Sequence, residues 1–447
     1  MVRIAPFRGV FYNQKKIRDL AKVVTPPYDV ISPEEQEKLC RRSPYNFVRL
    51  DLNQEPGAYG AVAQLFADWQ AEGILQRDEI PTIYFLTHRF SLKSGEEKER
   101  EGFLALTQLQ EFSSGTIRPH EKTLDAPRED RLRLMFACHA QLSPIFALYA
   151  QPKPTINRAL AQHVEGATPF IEVKPSSGEE CRLWRVTDAA LIDRVQQEMK
   201  DQTLLIADGH HRYEATLSYR DQIRNERKQW NGREAFNYIM TYFANMNDEN
   251  VVILPTHRLV RGYAPQPFLQ LEDALQKYFY LEQYPKTPEG KDWFLKALKS
   301  AGKKHRAIGA SFKRDPRYLI LRLKNKRIMQ RLATDLSAAL RELDVSTLHL
   351  LILGHILGMT PEQQTTRETI HYSQDEEAVL QALEKEDYQA AFILNPPKSD
   401  EVLAIASGGE KMPQKSTYFY PKLISGLIVN KIDPEEEIAD GSELTER

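Results

Sequence analysis

The sequence predicts a mixed α/β chain of the α+β kind, assembled from more than one domain. Three observations lead there. Strand-like and helix-like segments alternate along its first half. At 447 residues the chain exceeds the size at which a single core keeps growing. Its 41% hydrophobic and 27% charged residues are ordinary for globular domains, so several cores can be filled.

Taken in order, residues 1–115 form a first α/β region. It runs from the turn-rich "VTPPYDVISPEE" through helix-like "GAVAQLFADWQAEGIL" to strand-like "TIYFLTHRFSL" and "REGFLALTQL". The charge run "KSGEEKERE" between those strands reads as a solvated hairpin loop. Residues 116–264 form a central region, opened by "IRPHEKTLDAPREDRLRLM" and followed by strand-like "SPIFALYA" and a Pro- and Gly-containing stretch at 151–178. Strand-like "CRLWRVT" and helix-like "DAALIDRVQQEM" come next. Residues 265–432 form a C-terminal α/β region with helices "FLQLEDALQKYF" and "MQRLATDLSAALRELDVSTLHLLILGHIL". The acidic residues 433–447 read as a flexible tail with little to bury.

Composition narrows the function classes. A net charge of −2 offers no global attraction to nucleic acid or to an anionic membrane, so any anion binding must be local. The odd, widely spaced Cys40, Cys138 and Cys181 make neither a disulfide framework nor a zinc pattern. No segment has the length of a signal peptide or a membrane span, and the expected setting is the cytoplasm.

Chemistry concentrates in "LLIADGHHRYEATLSYRD" at 204–221. Leu204, Leu205 and Ile206 read as a buried strand, and Tyr213 and Leu217 as the inner face of a helix. Asp208, Gly209, His210, His211 and Arg212 therefore occupy a strand-to-helix turn. Gly209 allows a tight bend, the first amides of the helix favour an anion, and Arg212 adds a fork for phosphate or carboxylate. The plainer alternative makes Asp208 a helix cap and the histidines surface residues.

"RPHEKTL" places His120, Glu121 and Lys122 at a second turn, where Glu121 is suited to take a proton from a hydroxyl. Arg128 and Arg131 share a face of the helix that follows, and surface ion pairing is their ordinary role. "NVVILPTHRLV" carries Thr256 and His257 just past a strand, and "GGEKMPQKSTYFYPK" carries Lys415, Ser416 and Thr417. The latter lacks the glycine spacing of a P-loop, though a lysine followed by two hydroxyls can hold phosphate.

Together "TPPYDVIS", "SPYNFVRL", "PHEKT", "ADGHHRYE", "LPTHRLV" and "MPQKSTYFYPK" resemble, over nearly the whole chain, a bacterial and archaeal family catalogued as a conserved domain of unknown function. The pairing of a glutamate with "DGHHR" is also similar to the free serine kinases, whose core is of the ParB and sulfiredoxin type. The resemblance implies such a core elaborated at both ends, and phosphorylation of free L-serine with pyrophosphate, or with ADP or ATP, as donor. It implies Glu121 as general base and Asp208, His210 and His211 as catalytic. His120, Lys122, Arg131, Gly209, Arg212, Thr256, His257, Lys415, Ser416 and Thr417 would bind substrate or phosphate. Mg2+ would screen the donor, held largely by the donor's oxygens with one carboxylate such as Asp208 helping. Two other readings stay open. A phosphoserine phosphatase would use the same groups with water as acceptor. A ParB-like nucleotide-dependent DNA-binding regulator would draw on the basic run "KKHRAIGASFKRDPRYLILRLKNKR", which otherwise reads as strands with ordinary surface charge.

Overall fold

The computed structural model describes residues 1–52, 57–121, 123, 125–175, 177–263, 268–304, 306–366 and 368–439. The chain is mixed α/β and divides into two compact units. The first comprises 1–119, 123–252 and 421–447, and the second 120–122 and 253–420.

The first unit is organised by a nine-stranded sheet. Its strands are β1 (Ile4–Ala5), β2 (Ile83–Ser91), β3 (Glu97–Gln108), β4 (Ile117–Arg118), β5 (Ile145–Tyr149), β6 (Ile171–Val173), β7 (Glu180–Val186), β8 (Leu204–Asp208) and β9 (Tyr238–Asn245). Their spatial order is β4-β8-β5-β9-β3-β2-β7-β6, with β1 on β3. The β2–β3 hairpin is antiparallel as its alternation requires, and the charge run enters β3 at Glu97 rather than staying in the loop. The helices of this unit are α1 (Pro33–Arg42), α2 (Tyr59–Ala71), α3 (Asp125–Cys138), α4 (Thr155–Val164), α5 (Ala189–Lys200) and α6 (His210–Arg227). Leu160, Ile192, Val195, Tyr213 and Leu217 pack with Phe85, Phe103, Ile145, Ile206 and Phe243 into its main core.

The second unit carries an antiparallel six-stranded sheet of β10 (His257–Val260), β11 (Phe279–Pro285), β12 (Ala307–Phe312), β13 (Arg317–Leu323), β14 (Ile370–Ser373) and β15 (Ala390–Ile393). Its order is β11-β13-β12-β15-β10-β14. Helices α7 (Phe268–Tyr278), α8 (Pro288–Gly302), α9 (Glu376–Lys385) and α10 (Ser399–Ser407) accompany it, and Phe294, Leu298, Val379 and Leu383 seal it against Leu259, Ile320 and Ile393.

Several expectations change. Residues 1–115 and most of 116–264 are one unit, because β2, β3, β5, β8 and β9 are strands of one sheet. The Pro- and Gly-containing stretch at 151–178 holds the helix α4. The long helix expected from Met329 breaks into short turns at Arg327–Leu332 and Ala338–Arg341, then a wide π-type helix at Thr347–Ile356. Residues 433–439 are not a free tail. Glu436 pairs with Arg8 at 2.7 Å and Arg77 at 2.5 Å, and Ile438 is buried. Among the described residues no helix is long and apolar enough to cross a membrane.

Candidate functional site

The predicted site residues collect into two clusters, one in each unit. In the first unit β8 ends in a register shift between Ile206 and Asp208 against β5, which turns the Asp208 side chain out of the regular pleat. Gly209 follows at φ 92°, a conformation that L side chains resist, and α6 starts at His210. A Cβ on Gly209 would lie 3.0 Å from both Arg212 Nε and Ile145 Cγ2, so the guanidinium packs directly over the turn.

Asp208 is not a helix cap. Gly209 holds that position without a side-chain bond, and the Asp208 carboxylate is gripped by two cations. Arg212 donates to Oδ2 at 2.6 Å and Lys422 pairs with Oδ1. Arg212 also donates to the Pro144 carbonyl, which fixes the plane of its fork, while its buried Nε has no hydrogen-bond partner among the described residues. Lys422 lies 3.9 Å from Asp29 as well.

Beside this triad, Arg131 is 7% exposed rather than the surface group its helix position suggested. It donates to the Asp51 carboxylate at 3.0 Å and the Asp51 carbonyl at 2.9 Å, and its guanidinium lies 4.0 Å from the ring centre of Tyr28. Burial pushes the Tyr28 phenol upward, and the positive charges of Arg131 and Arg212 oppose that shift. His210 is buried and His211 half-buried, as adjacent positions on a helix must differ. The cluster sets four carboxylates, Asp29, Asp51, Asp130 and Asp208, against Arg131, Arg212 and Lys422, with Asp130 pairing with Arg131 at 2.6 Å. It holds its cations in place on carboxylates, and the amide end of α6 adds donors that helical bonding leaves for outside partners.

The second cluster lies in the second unit. Glu121 forms a parallel bridge with Met412, and its Oε1 accepts the Lys415 N–H at 3.1 Å. His120, fully buried, meets Thr417 Oγ1 at 2.7 Å. Lys415 takes φ 54°, the cost of bringing its amide to the glutamate. Thus "PHE" and "KST", nearly 300 positions apart, form one motif. Lys122 lies outside the described residues.

Arg258, fully buried, closes this cluster by donating to the Lys415 carbonyl at 3.0 Å and to that of Thr256. Burial draws its guanidinium down to about 10, with Tyr372 and Glu121 holding it up. It also keeps the nearby His349 neutral, whose imidazole falls to about 3 through burial and then the charge of Arg258. His257 and Thr256 are both buried. His257 is a buried β10 residue whose Nδ1 accepts the Leu394 N–H at 3.2 Å, a structural bond. Thr256 is 2% exposed and its Oγ1 has no hydrogen-bond partner among the described residues.

The sequence reading missed Tyr28, Asp29, Asp51 and Lys422 as members of the first cluster. Their signal was present, since Tyr28, Asp29 and Lys422 lie in "TPPYDVIS" and "YPK", two of the segments that carried the resemblance.

A family model described as a protein of unknown function, DUF1015, matches residues 4–346, more than half of the chain. The chain belongs to the DUF1015 family. No curated protein matches it. Solved structures similar to this DUF1015 chain include a conserved hypothetical protein from Pyrococcus furiosus, 13% identical with a TM-score of 0.31, covering 74% of this chain and 94% of that one. A free serine kinase variant in complex with ADP is 12% identical with a TM-score of 0.32, and C-terminally truncated SbnI from Staphylococcus aureus is 11% identical with a TM-score of 0.34. Each of these two covers 74% of this chain and 90% of its own. At these scores the likenesses carry no weight in assigning an activity to a DUF1015 protein.

Proposed function

We propose that this chain is a phosphotransferase that makes O-phospho-L-serine from free L-serine, with pyrophosphate as phosphoryl donor. The observation that carries the reading is the Asp208 carboxylate held between Arg212 and Lys422 at the amide end of α6. Phosphoryl transfer asks for positioned cations and donors around the moving group more than for covalent chemistry by the protein. An entering phosphoryl group exchanges with Asp208 for the Arg212 fork and the Lys422 ammonium, and Asp208 returns both to register when product leaves. Glu121, whose one oxygen is fixed by the Lys415 amide, serves as base toward the serine hydroxyl. The motif resemblance supplies the acceptor, and the ParB type of core belongs to this reading.

Magnesium belongs to it as an ion carried on the pyrophosphate oxygens. Asp208 is open to that ion only after the exchange with the phosphoryl group, because both of its carboxylate oxygens are engaged by cations before it, and no cluster of three or more His, Cys, Asp or Glu suited to a metal occurs among the described residues. The deciding experiment offers pyrophosphate, ADP, ATP and triphosphate to the protein with L-serine and follows phosphoserine. Accumulation with pyrophosphate is the expected result. Consumption of added phosphoserine without a phosphate acceptor would replace the kinase by a phosphatase, and inertness with every donor would end the reading.

A further inference from the structure

The basic run at 303–327 is not spent on the first cluster, and its charges are not simply spread over a surface. Lys303, Lys304, Arg306 and Lys326 line one cavity of about 380 Å3 in the second unit, together with Lys398. That volume is in the range of small-molecule sites. One wall is apolar, made by Leu323, Leu343 and Val345. Arg306 and Lys326 are tied to Glu342 at 3.2 and 2.8 Å, whereas the side chains of Lys303, Lys304 and Lys398 form no ion pair among the described residues, although Glu401, also in the lining, accepts the Lys398 backbone N–H at 2.9 Å. Two lysines after the end of α8 would be ordinary as complements to a helix C-terminus. That account does not reach Lys398, at the opposite, amide end of α10, nor Thr256.

Thr256 supplies the independent observation. It lines the same cavity, is 2% exposed, and its hydroxyl has no hydrogen-bond partner among the described residues. A hydroxyl that deep is normally satisfied, and one left open beside a cationic rim invites a ligand oxygen. Gly302 shapes the floor, since a Cβ there would fall 2.3 Å from the Asn395 amide. The Asp344 carboxyl, also in the lining, is pushed up to about 7 by burial and by Glu401, with Arg306 opposing.

We infer that this cavity is a second ligand site, specific for an organic phosphate: the phosphoryl group lies on Lys303, Lys304 and Lys398, and an apolar or planar body rests on the leucine and valine wall. This site shares Thr256 and Ser416 with the residues that the motif resemblance assigns to phosphate, but every residue of it lies in the second unit and none belongs to the turn at Asp208, so the two readings fail separately. Inorganic phosphate supplies the head alone, adenosine the body alone, and AMP both. In calorimetric titrations of the full chain, AMP should bind at least tenfold more tightly than either part. A Lys304→Glu, Lys398→Glu double variant with an unchanged circular dichroism spectrum should lose at least tenfold in AMP affinity. Thr256→Val should lose a smaller factor, and Arg212→Ala should lose none. No heat with millimolar AMP overturns the inference. So does AMP binding that survives the double lysine variant, or that disappears in Arg212→Ala, which would place the ligand at the turn.

Discussion

At the scale of single residues, the chemistry depends on how charge is held. Arg212 meets Asp208 and the Pro144 carbonyl as a planar fork, so Arg212→Lys retains the charge but cannot make both bonds. Serine phosphorylation should fall by about tenfold or more, the scale of one charged hydrogen bond, with the melting temperature nearly unchanged. Full activity in that variant would remove the guanidinium from the reaction. Glu121→Gln should keep the Lys415 bond through its amide oxygen yet lower kcat by about 100-fold or more, as loss of a positioned base does. A folded Glu121→Gln protein with ordinary turnover would refute the proposed base. Asp344 gives a prediction about stability. Its folded pKa stands near 7, above the unfolded value, so the native state holds a proton that the unfolded chain has already released. The stabilising protonation is complete below about pH 4 and is lost as pH rises toward 7. Asp344→Asn should therefore melt above the parent at pH 8, with the difference shrinking at pH 5. A constant difference across that range would show that Asp344 is ionised throughout.

At the scale of elements, the strand, turn and helix around residue 209 were legible because the signals are local. An apolar run, one glycine and an apolar stripe at helical spacing define β8 and α6 without tertiary help. Gly209→Ala tests the turn. It places a side chain at φ 92° and 3.0 Å from Arg212 Nε, so a destabilisation of about 1 kcal/mol or more from backbone strain should accompany displacement of the guanidinium. Activity should fall further than stability, and the reverse ranking would make the glycine only a folding residue. Where competing signals act, the reading failed. Pro152 and Pro154 hid α4, whose buried Ile156, Leu160 and Val164 nonetheless follow helical spacing. The expected long helix after Met329 was an apolar pattern read too continuously. Ser337 caps a new turn by accepting the Leu340 N–H, so serine there starts a helix instead of continuing one. His257 was placed past a strand because Pro255 looked like an end, yet the chain resumes as β10 at once.

At the scale of the whole molecule, the sequence could show which segments belong together but not the path that joins them. The chain leaves the first unit, builds the second, and returns at Pro421. No local pattern announces such a return, and only side chains distant in sequence reveal it. Lys422 reaches Asp208 across 214 positions, and Asn430–Lys431 pairs with Ala140–Gln141. The returning segment thus has two roles that can be separated. Structurally it buries Ile424, Leu427, Ile428, Val429, Ile432 and Ile438 and gives the fully buried Arg100 the Pro421 carbonyl at 3.0 Å. At about 1.5–3 kcal/mol for each fully buried aliphatic side chain, those residues are worth roughly as much as the net stability of a typical domain. Chemically it delivers one ammonium. A chain ending at Tyr420 should therefore fail to give a cooperative melt of the first unit, whereas Lys422→Met should melt close to the parent and lose serine phosphorylation by about tenfold or more. If the truncated chain keeps a cooperative melt of its first unit, residues 421–439 do not complete the fold. If Lys422→Met is both folded and fully active, Asp208 is held by Arg212 alone, and the two-cation grip is not what transfers phosphate.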